Sequence, residues 1–438
     1  MKFLIITEGL ALGSIFCSHV ISMVFTGLLA FSLPVTAQVF KEKQTRHRFA
    51  QLNLGLDFET SIGGESTYLN LDNNESNLRL ENLIKPRFII GGTHFWGHAD
   101  FYLAIPFTSP LTQIENQNIQ HLRGVEIALK YYPVQIEHGK FRPYFGISVS
   151  PFYFEHSNNN LNYSNGPELY YTSYPLLSGV TYNHKKHLFE FGVAWNYQSE
   201  RRYFISREIE SIIRTPPVYL NISYRLMLET TLSAERDWES GETQKVTKSR
   251  SQNGGLNGFF VGLGLSSVFW LGESSYNKKQ RPFMEKYGIS IMPDFSLGYY
   301  LHTPDLNINL AYRPYRTSSN TYGVIQRAER QSLAFEITKY LFDYYGFDPF
   351  IGPVISYENL AFKESFEGLA TINISEKKVS YGITFGWDIR PNRIQSIILR
   401  TSLRWYPSLD LSTEGDQKIS FDNLEFNFIQ VIGYLNRF

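Results

Sequence analysis

The residues of this 438-residue chain with the right types for chemistry are a handful of histidines and carboxylates near strand ends. Glu155 with His156, and Asp410 with Glu414, have the groups that general acid–base hydrolysis needs within hydrogen-bond reach of each other. Paired acidic loop residues more often face solvent. His94 and His98 flank a turn in His94-Phe95-Trp96-Gly97-His98, and His184 and His187 flank Lys185-Lys186. Two imidazoles across a hairpin need not converge on a metal, which takes three or four ligands. Segment 199–216 sets Arg201, Arg202, Arg207 and Arg214 against Glu200, Glu208 and Glu210. That pattern suits binding of lipopolysaccharide phosphates or simple mutual neutralisation. Neither a phosphate-binding loop opening a helix nor a nucleophile elbow occurs. The reading is therefore of a non-enzymatic protein with no cofactor and no metal, a hydrolase at the rim being kept as an alternative.

The elements that would carry these groups alternate. Phe189, Phe191, Val193, Trp195 and Tyr197 oppose Glu190, Gly192, Ala194 and Asn196, and Leu52, Leu54, Leu56 and Phe58 oppose Gln51, Asn53, Gly55 and Asp57. Ile397, Leu399, Thr401, Leu403 and Trp405 oppose Ile398, Arg400, Ser402 and Arg404. From Leu424 to Phe438 the even positions are mostly large and apolar, and the odd ones more polar. A period of two puts each set on one face of a strand. One set is bulky and apolar and the other small or charged, the inverse of a packed soluble core. Closed sheets, apolar outside and polar inside, are the β structures that span bilayers.

Composition agrees. Aromatic residues make up 16% of the chain, as interfacial girdles require, while 41 basic and 41 acidic residues cancel and give no support for a nucleic-acid partner. Residues 1–37 read as an export signal, with Lys2, an apolar run over 21–33 and Val35-Thr36-Ala37 before Gln38. The single cysteine, Cys17, lies inside it, so the mature chain would contain none.

The expected fold class is all-β, an antiparallel transmembrane β-barrel of about 16 strands from two eight-stranded repeats, over 38–230 and 256–438, with a charged connector at 231–255. Short connections alternate with long ones such as 59–85, 155–169, 315–330, 362–377 and 407–420, the rule for periplasmic turns and outer loops. The repeat shows as Lys130-Tyr131 and Arg142-Pro143-Tyr144-Phe145-Gly146, matched by Lys339-Tyr340 and Asp348-Pro349-Phe350-Ile351-Gly352, the prolines 206 residues apart. Trp195 and Trp405 fall in corresponding strands.

Val125-Glu126-Ile127-Ala128-Leu129-Lys130-Tyr131-Tyr132-Pro133, Arg142-Pro143-Tyr144-Phe145-Gly146-Ile147 and the late Val218-Tyr219-Leu220-Asn221-Ile222-Ser223-Tyr224-Arg225 resemble the small eight-stranded outer-membrane barrels of Bacteroidota, the porT-like family. The resemblance covers nearly all of the mature chain with loose motifs. It implies fold and outer-membrane location, permits a role in a secretion or envelope assembly complex, and carries no catalytic residues across.

Whether the halves close separately or merge decides the fate of the inward candidates Glu126, Lys130, Glu190, Arg225, Arg313, Glu336, Arg400, Arg404 and Glu425. In one wide barrel, the favoured reading, they line water and make a passive pore. In two narrow ones they pair as buried networks, leaving a structural or surface-interaction role. Expected partners are outer-membrane lipid and lipopolysaccharide, the barrel-assembly machinery through a C-terminal strand ending at Phe438, and a periplasmic or surface protein docked on the connector.

Overall fold

The computed structural model describes residues 48–437, apart from 71–73, 81–83, 108–110, 115–116, 159–165, 167, 231–241, 271–273, 285–286, 288–289, 391–393 and 408. The export signal, Phe438 and the first half of the connector lie outside these residues.

The chain forms two closed eight-stranded antiparallel barrels. In the first, β1 (Ala50–Ile62), β2 (Ile84–His94), β3 (Ala99–Pro106), β4 (Glu126–Tyr131), β5 (Phe141–Asn158), β6 (Leu176–His184), β7 (His187–Trp195) and β8 (Val218–Glu229) pair in chain order. β8 returns to β1 from Gln51↔Glu229 to Ile62↔Val218, so no edge is left open. The second barrel runs β9 (Gly258–Phe269), β10 (Ser290–Leu301), β11 (Leu306–Thr321), β12 (Val324–Tyr340), β13 (Phe347–Phe366), β14 (Leu369–Ile389), β15 (Ile397–Trp405) and β16 (Leu424–Tyr434), closed by β9 on β16. Outward positions form an exposed apolar belt on both, as at Leu56, Phe58, Phe145 and Ile222 on the first and Leu263, Leu297, Ile355 and Tyr381 on the second. A transmembrane β-barrel is the structure that makes such a surface stable. No helix among the described residues is long and apolar enough to cross a membrane.

The single wide barrel is thus corrected to its alternative. Merging two halves removes open edges, but here each half already satisfies its own, and side chains fill an eight-stranded bore completely. The connector has only to link the rings, and its second half is an exposed helix, α1 (Glu242–Gln252).

Three other readings change. Segments 315–330 and 362–377 are not loops: β11–β12 and β13–β14 run on into two-residue turns at Tyr322-Gly323 and Glu367-Gly368. Both residues of each turn have positive φ, between 49° and 83°, the geometry that matches strand twist and favours glycine in second place. The final strand does not alternate evenly. Its pairing with β9 slips between Leu265↔Ile429 and Ser266↔Asn427, so Phe428 bulges. Glu425 and Asn427 face the bore before the bulge, and Gln430, Ile432 and Tyr434 face it after. The strand stops at Tyr434, and Leu435–Arg437 forms a 3-10 turn. In the repeated Lys-Tyr pair, Lys130 is buried in the bore while Lys339 is exposed and Tyr340 takes the inward place.

The barrels stand side by side. Midway along the strands Phe101 of β3 meets Phe428 at 5.0 Å, Trp387 at 5.5 Å and Phe426 at 5.8 Å between ring centroids. At the short-turn end Phe49 packs on Trp96, Tyr344 and Tyr345. At the long-loop end the Tyr322 hydroxyl donates to the Phe204 carbonyl at 3.0 Å, Arg207 donates to the Tyr322 carbonyl, and Glu168 accepts from Ser319, Asn320 and Thr321 of β11.

Candidate functional site

All nine inward candidates are side chains of the bore, none more than 3% exposed. In the first barrel they sit in two tiers. Lys130 pairs with Glu190, and Arg225 bridges Glu190 and Asp100, the latter at 2.7 Å. Tyr144 donates to Glu190 at 2.9 Å, and the Lys130 ammonium lies 4.4 Å from the ring centroids of both Tyr102 and Tyr144. The inward glycines Gly179 and Gly192 leave room for this phenol, since a Cβ at either would collide with the Tyr144 hydroxyl. Nearer the long-loop end Arg87 holds Asp57, Glu59 at 2.7 Å and Glu126 at 2.9 Å, and Arg123 bridges Glu59 and Glu126.

The second barrel repeats the principle with other residues. Arg313 contacts Glu336, Glu425 at 3.0 Å and Asp294 at 3.3 Å, while Arg404 reaches Glu336 at 2.8 Å and Asp294 at 3.0 Å. Arg330 forks onto Glu358 through two 2.8 Å bonds and also meets Asp422 and Glu425. Toward the short-turn end Arg400 pairs with Asp388 at 2.8 Å, and Arg390 pairs with Asp348 while lying 3.8 Å from the Tyr340 ring centroid.

Sequence reasoning put Asp57 on the polar face of its strand without naming it an inward candidate. It missed Glu59, Arg87, Asp100 and Arg123 in the first network, and Asp294, Arg330, Glu358, Asp388, Arg390 and Asp422 in the second. For most of them a signal existed, because they share strand parity with a neighbour already read as inward. Arg330 stands six positions before Glu336 on β12, and Asp57 two after Gly55 on β1. Arg123 had no such signal, because it precedes β4 in a separate strand, 117–123, that extends the ring.

Both mouths are covered. Over the first lies a small sheet from Glu65–Leu69, Glu75–Arg79, Glu200–Phe204 and Glu210–Arg214, with Leu80, Phe152, Phe154, Leu169, Tyr203 and Ile213 beneath. The second is filled from within by α2 (Ser275–Gln280) and the segment after it. Tyr276 donates to Glu364 at 2.9 Å, Arg281 reaches the same carboxylate at 3.0 Å, and Tyr287 donates to Gln326 at 2.9 Å.

The catalytic candidates do not assemble. Glu155 and His156 are consecutive on β5 and so point to opposite faces: Glu155 accepts from the Tyr153 hydroxyl at 2.6 Å, and buried His156 lies edge-on to Tyr68. Asp410 lies 4.0 Å from Lys418, and the Glu414 side chain is outside the described atoms. His98 bonds the Tyr132 carbonyl through Nδ1 at 2.8 Å, whereas His94 faces Phe347 across the seam. His184 lies against His138 with ring centroids 4.8 Å apart and planes tilted by 55°, and His187 bonds the Tyr224 hydroxyl at 2.8 Å. In the charged loop Arg214 bridges Glu65 and Glu200, and Arg207 is used in the clasp to the second barrel. Among the described residues no three His, Cys, Asp or Glu side chains gather as a metal site.

The fold and its interior define a tandem pair of closed transmembrane β-barrels. No protein-family model matches the chain, and neither does any curated protein. Among solved structures it is similar to Neisserial surface protein A (13% identity, 41% of this chain and 96% of that one, TM-score 0.28). It is also similar to the attachment invasion locus protein of Yersinia pestis (12%, 41% and 96%, TM-score 0.25). An outer membrane channel from Pseudomonas putida F1 covers more of the chain (9%, 88% and 96%, TM-score 0.20). Scores this low carry no argument, and the class of the protein stands on its own two barrels.

Proposed function

We propose that this is a non-enzymatic integral outer-membrane protein whose barrels are closed anchors, with its work done at surfaces and not through a lumen. One observation carries the reading: the charged side chains that would line a pore are instead bonded to one another across both bores and almost fully buried. An aqueous channel needs charge exposed to water. The apolar belt supports a membrane location. Both described ends of the chain and the turns at 95–98, 185–186, 302–305 and 341–346 lie at one end, which suits periplasmic entry and places the covered mouths outside. The two rings of equal strand number and order support an origin by tandem duplication of a small porT-like barrel. Purified protein in a planar bilayer is expected to be electrically silent. A stable open-channel current from the unmodified protein would contradict the anchor reading and restore the pore.

A second reading, a component of an envelope assembly complex, is favoured by α1, an exposed helix at the periplasmic end with Lys245, Lys248 and Arg250 available to a partner. Deleting 236–250 should abolish co-purification of that partner and leave the barrels folded.

A further inference from the structure

The outward face of β11–β14 changes character toward its long-loop end, and the strand register shows where. Leu310, Phe335, Ile355 and Tyr381 make one row across the four strands, followed by Tyr312, Leu333, Tyr357 and Val379. Then come Pro314, Gln331, Asn359 and Lys377, next Arg316, Glu329, Ala361 and Ser375, and then Ser318, Arg327, Lys363 and Asn373. Apolar rows end at a tyrosine-bearing row, the mark of a membrane interface. Cations begin one row beyond it.

Three of these cations have no acidic partner among the described residues. Arg327, Lys363 and Lys377 are exposed and form no ion pair there, whereas Glu329 is held by Arg316 at 2.8 Å. Arg327 and Lys363 are direct register partners, and like charges opposite each other on adjacent strands are unfavourable unless an anion lies between them. The first barrel offers no counterpart at the long-loop ends of β1, β2 and β8, where the outward positions are Thr60, Ile62, Ile84, Pro86, Val218 and Leu220. Because the chain's charges cancel overall, the cluster is a local feature and not a reflection of net charge.

Height narrows the ligand. Each row advances two residues, about 6.6 Å along a strand, or roughly 5 Å along the barrel axis after tilt. The cations therefore span roughly 5 to 15 Å beyond the tyrosine row, and a simple phospholipid headgroup, about 5 to 7 Å deep, reaches only the first of them. A lipid whose headgroup is a phosphorylated saccharide reaches all three. We propose that this face of β12–β14 binds such a glycolipid in the outer leaflet, its phosphate monoesters lying among Arg327, Lys363 and Lys377. Charge-assisted bonds from several cations to one phosphate give such a site its strength. The proposal rests on the outer-membrane reading.

The test uses the full chain in phosphatidylcholine nanodiscs containing a minor fraction of rough lipopolysaccharide, with lipid retained by the protein measured by native mass spectrometry. Enrichment should fall on the order of tenfold in the Arg327→Gln, Lys363→Gln, Lys377→Gln triple variant, while Lys140→Gln, an exposed change at the other end, leaves it unaltered. Because all three side chains are exposed, the triple variant should keep its strand circular dichroism. Equal enrichment by the unmodified protein and the triple variant would overturn the site, as would equal enrichment of phosphatidylglycerol. Competition by free inorganic phosphate would place the specificity in phosphate alone and overturn the glycolipid assignment. Failure of the outer-membrane reading looks different, because the chain would then not insert into nanodiscs at all.

Discussion

The two barrels solve one interior problem with different residues and then part company outside. In the first, the lower tier is a compact square of Lys130, Arg225, Asp100 and Glu190 with tyrosines against it. In the second, Arg313 and Arg330 share Glu425 and each serve three carboxylates, as Arg87 does alone in the upper tier of the first. Beyond the belt the first barrel extends chiefly at β5, of 18 residues, and carries a separate cap sheet, while all of β11–β14 of the second continue for 16 to 21 residues and take a plug into their mouth. What the barrels share is thus a device for stability, since buried charges persist only when paired and hydrogen-bonded. What they do not share lies at the long-loop end, where a function distinct for each half has to be sought.

The largest expected effect tests the interior contrast. Arg225→Met leaves Asp100 with the amide of Asn53 at 3.3 Å in place of its arginine and should destabilise the first barrel by about 3–5 kcal/mol, the usual cost of breaking a buried pair. Arg313→Met should cost less, about 2–3 kcal/mol, because Asp294 and Glu336 keep Arg404 and Glu425 keeps Arg330. Denaturant unfolding in detergent measures both. Equal losses would mean that network connectivity does not matter and that each barrel simply counts its charges.

The same contrast marks what the sequence could reveal. A period of two is a local signal, so every barrel strand was legible, and even Glu190 and Lys130 could be placed in the bore by parity alone. Ring closure is not local. Whether β8 pairs with β1 or with β9 depends on contacts some 170 residues apart, and nothing in the alternation of either strand distinguishes them. The extended hairpins read as loops because above the belt both faces carry polar residues, the inner ones largely buried against the plug. Arg316, Ser318 and Asn320 therefore no longer contrast with Thr317, Ser319 and Thr321. Tyr322-Gly323 and Glu367-Gly368 did carry a turn signal there. The bulge at Phe428 was illegible for a different reason: an extra apolar residue keeps the pattern looking regular while reversing its phase.

A smaller effect is expected at the seam that holds the unlike halves together. In lipid, apolar burial between barrels gains nothing over burial against acyl chains, so the seam depends on packing and aromatic geometry. Phe101→Ala removes contacts with Phe426, Phe428 and Trp387 and should cost about 1 kcal/mol, not the 3–5 typical of a Phe→Ala change in a soluble core. Pulsed electron resonance distances between spin labels at Ile212 and Asn373, one above each barrel, should broaden. An unchanged distribution would show that the end contacts alone fix the pair.

The smallest expected effect concerns the clasp between the two mouths. Burial raises the Glu168 carboxyl above its ordinary value, and the charge of nearby Glu155 acts in the same direction. Ser319, the Asn320 amide and Thr321 donate to Glu168 and only partly offset this. A raised value in the docked state means that docking favours the protonated acid. The contribution is therefore complete below the ordinary glutamate value and is lost as pH rises through the raised one. Between the same two labels, distances should be narrowest in mild acid and broaden by neutral pH, with an energetic effect below about 1 kcal/mol because the cleft is partly open to water. Glu168→Gln, which keeps the hydrogen bonds without the charge, should hold the narrow distribution at both pH values. If the unmodified protein shows no pH dependence, then the clasp depends on the bonds of Arg207 and Tyr322 to backbone carbonyls and not on the carboxylate.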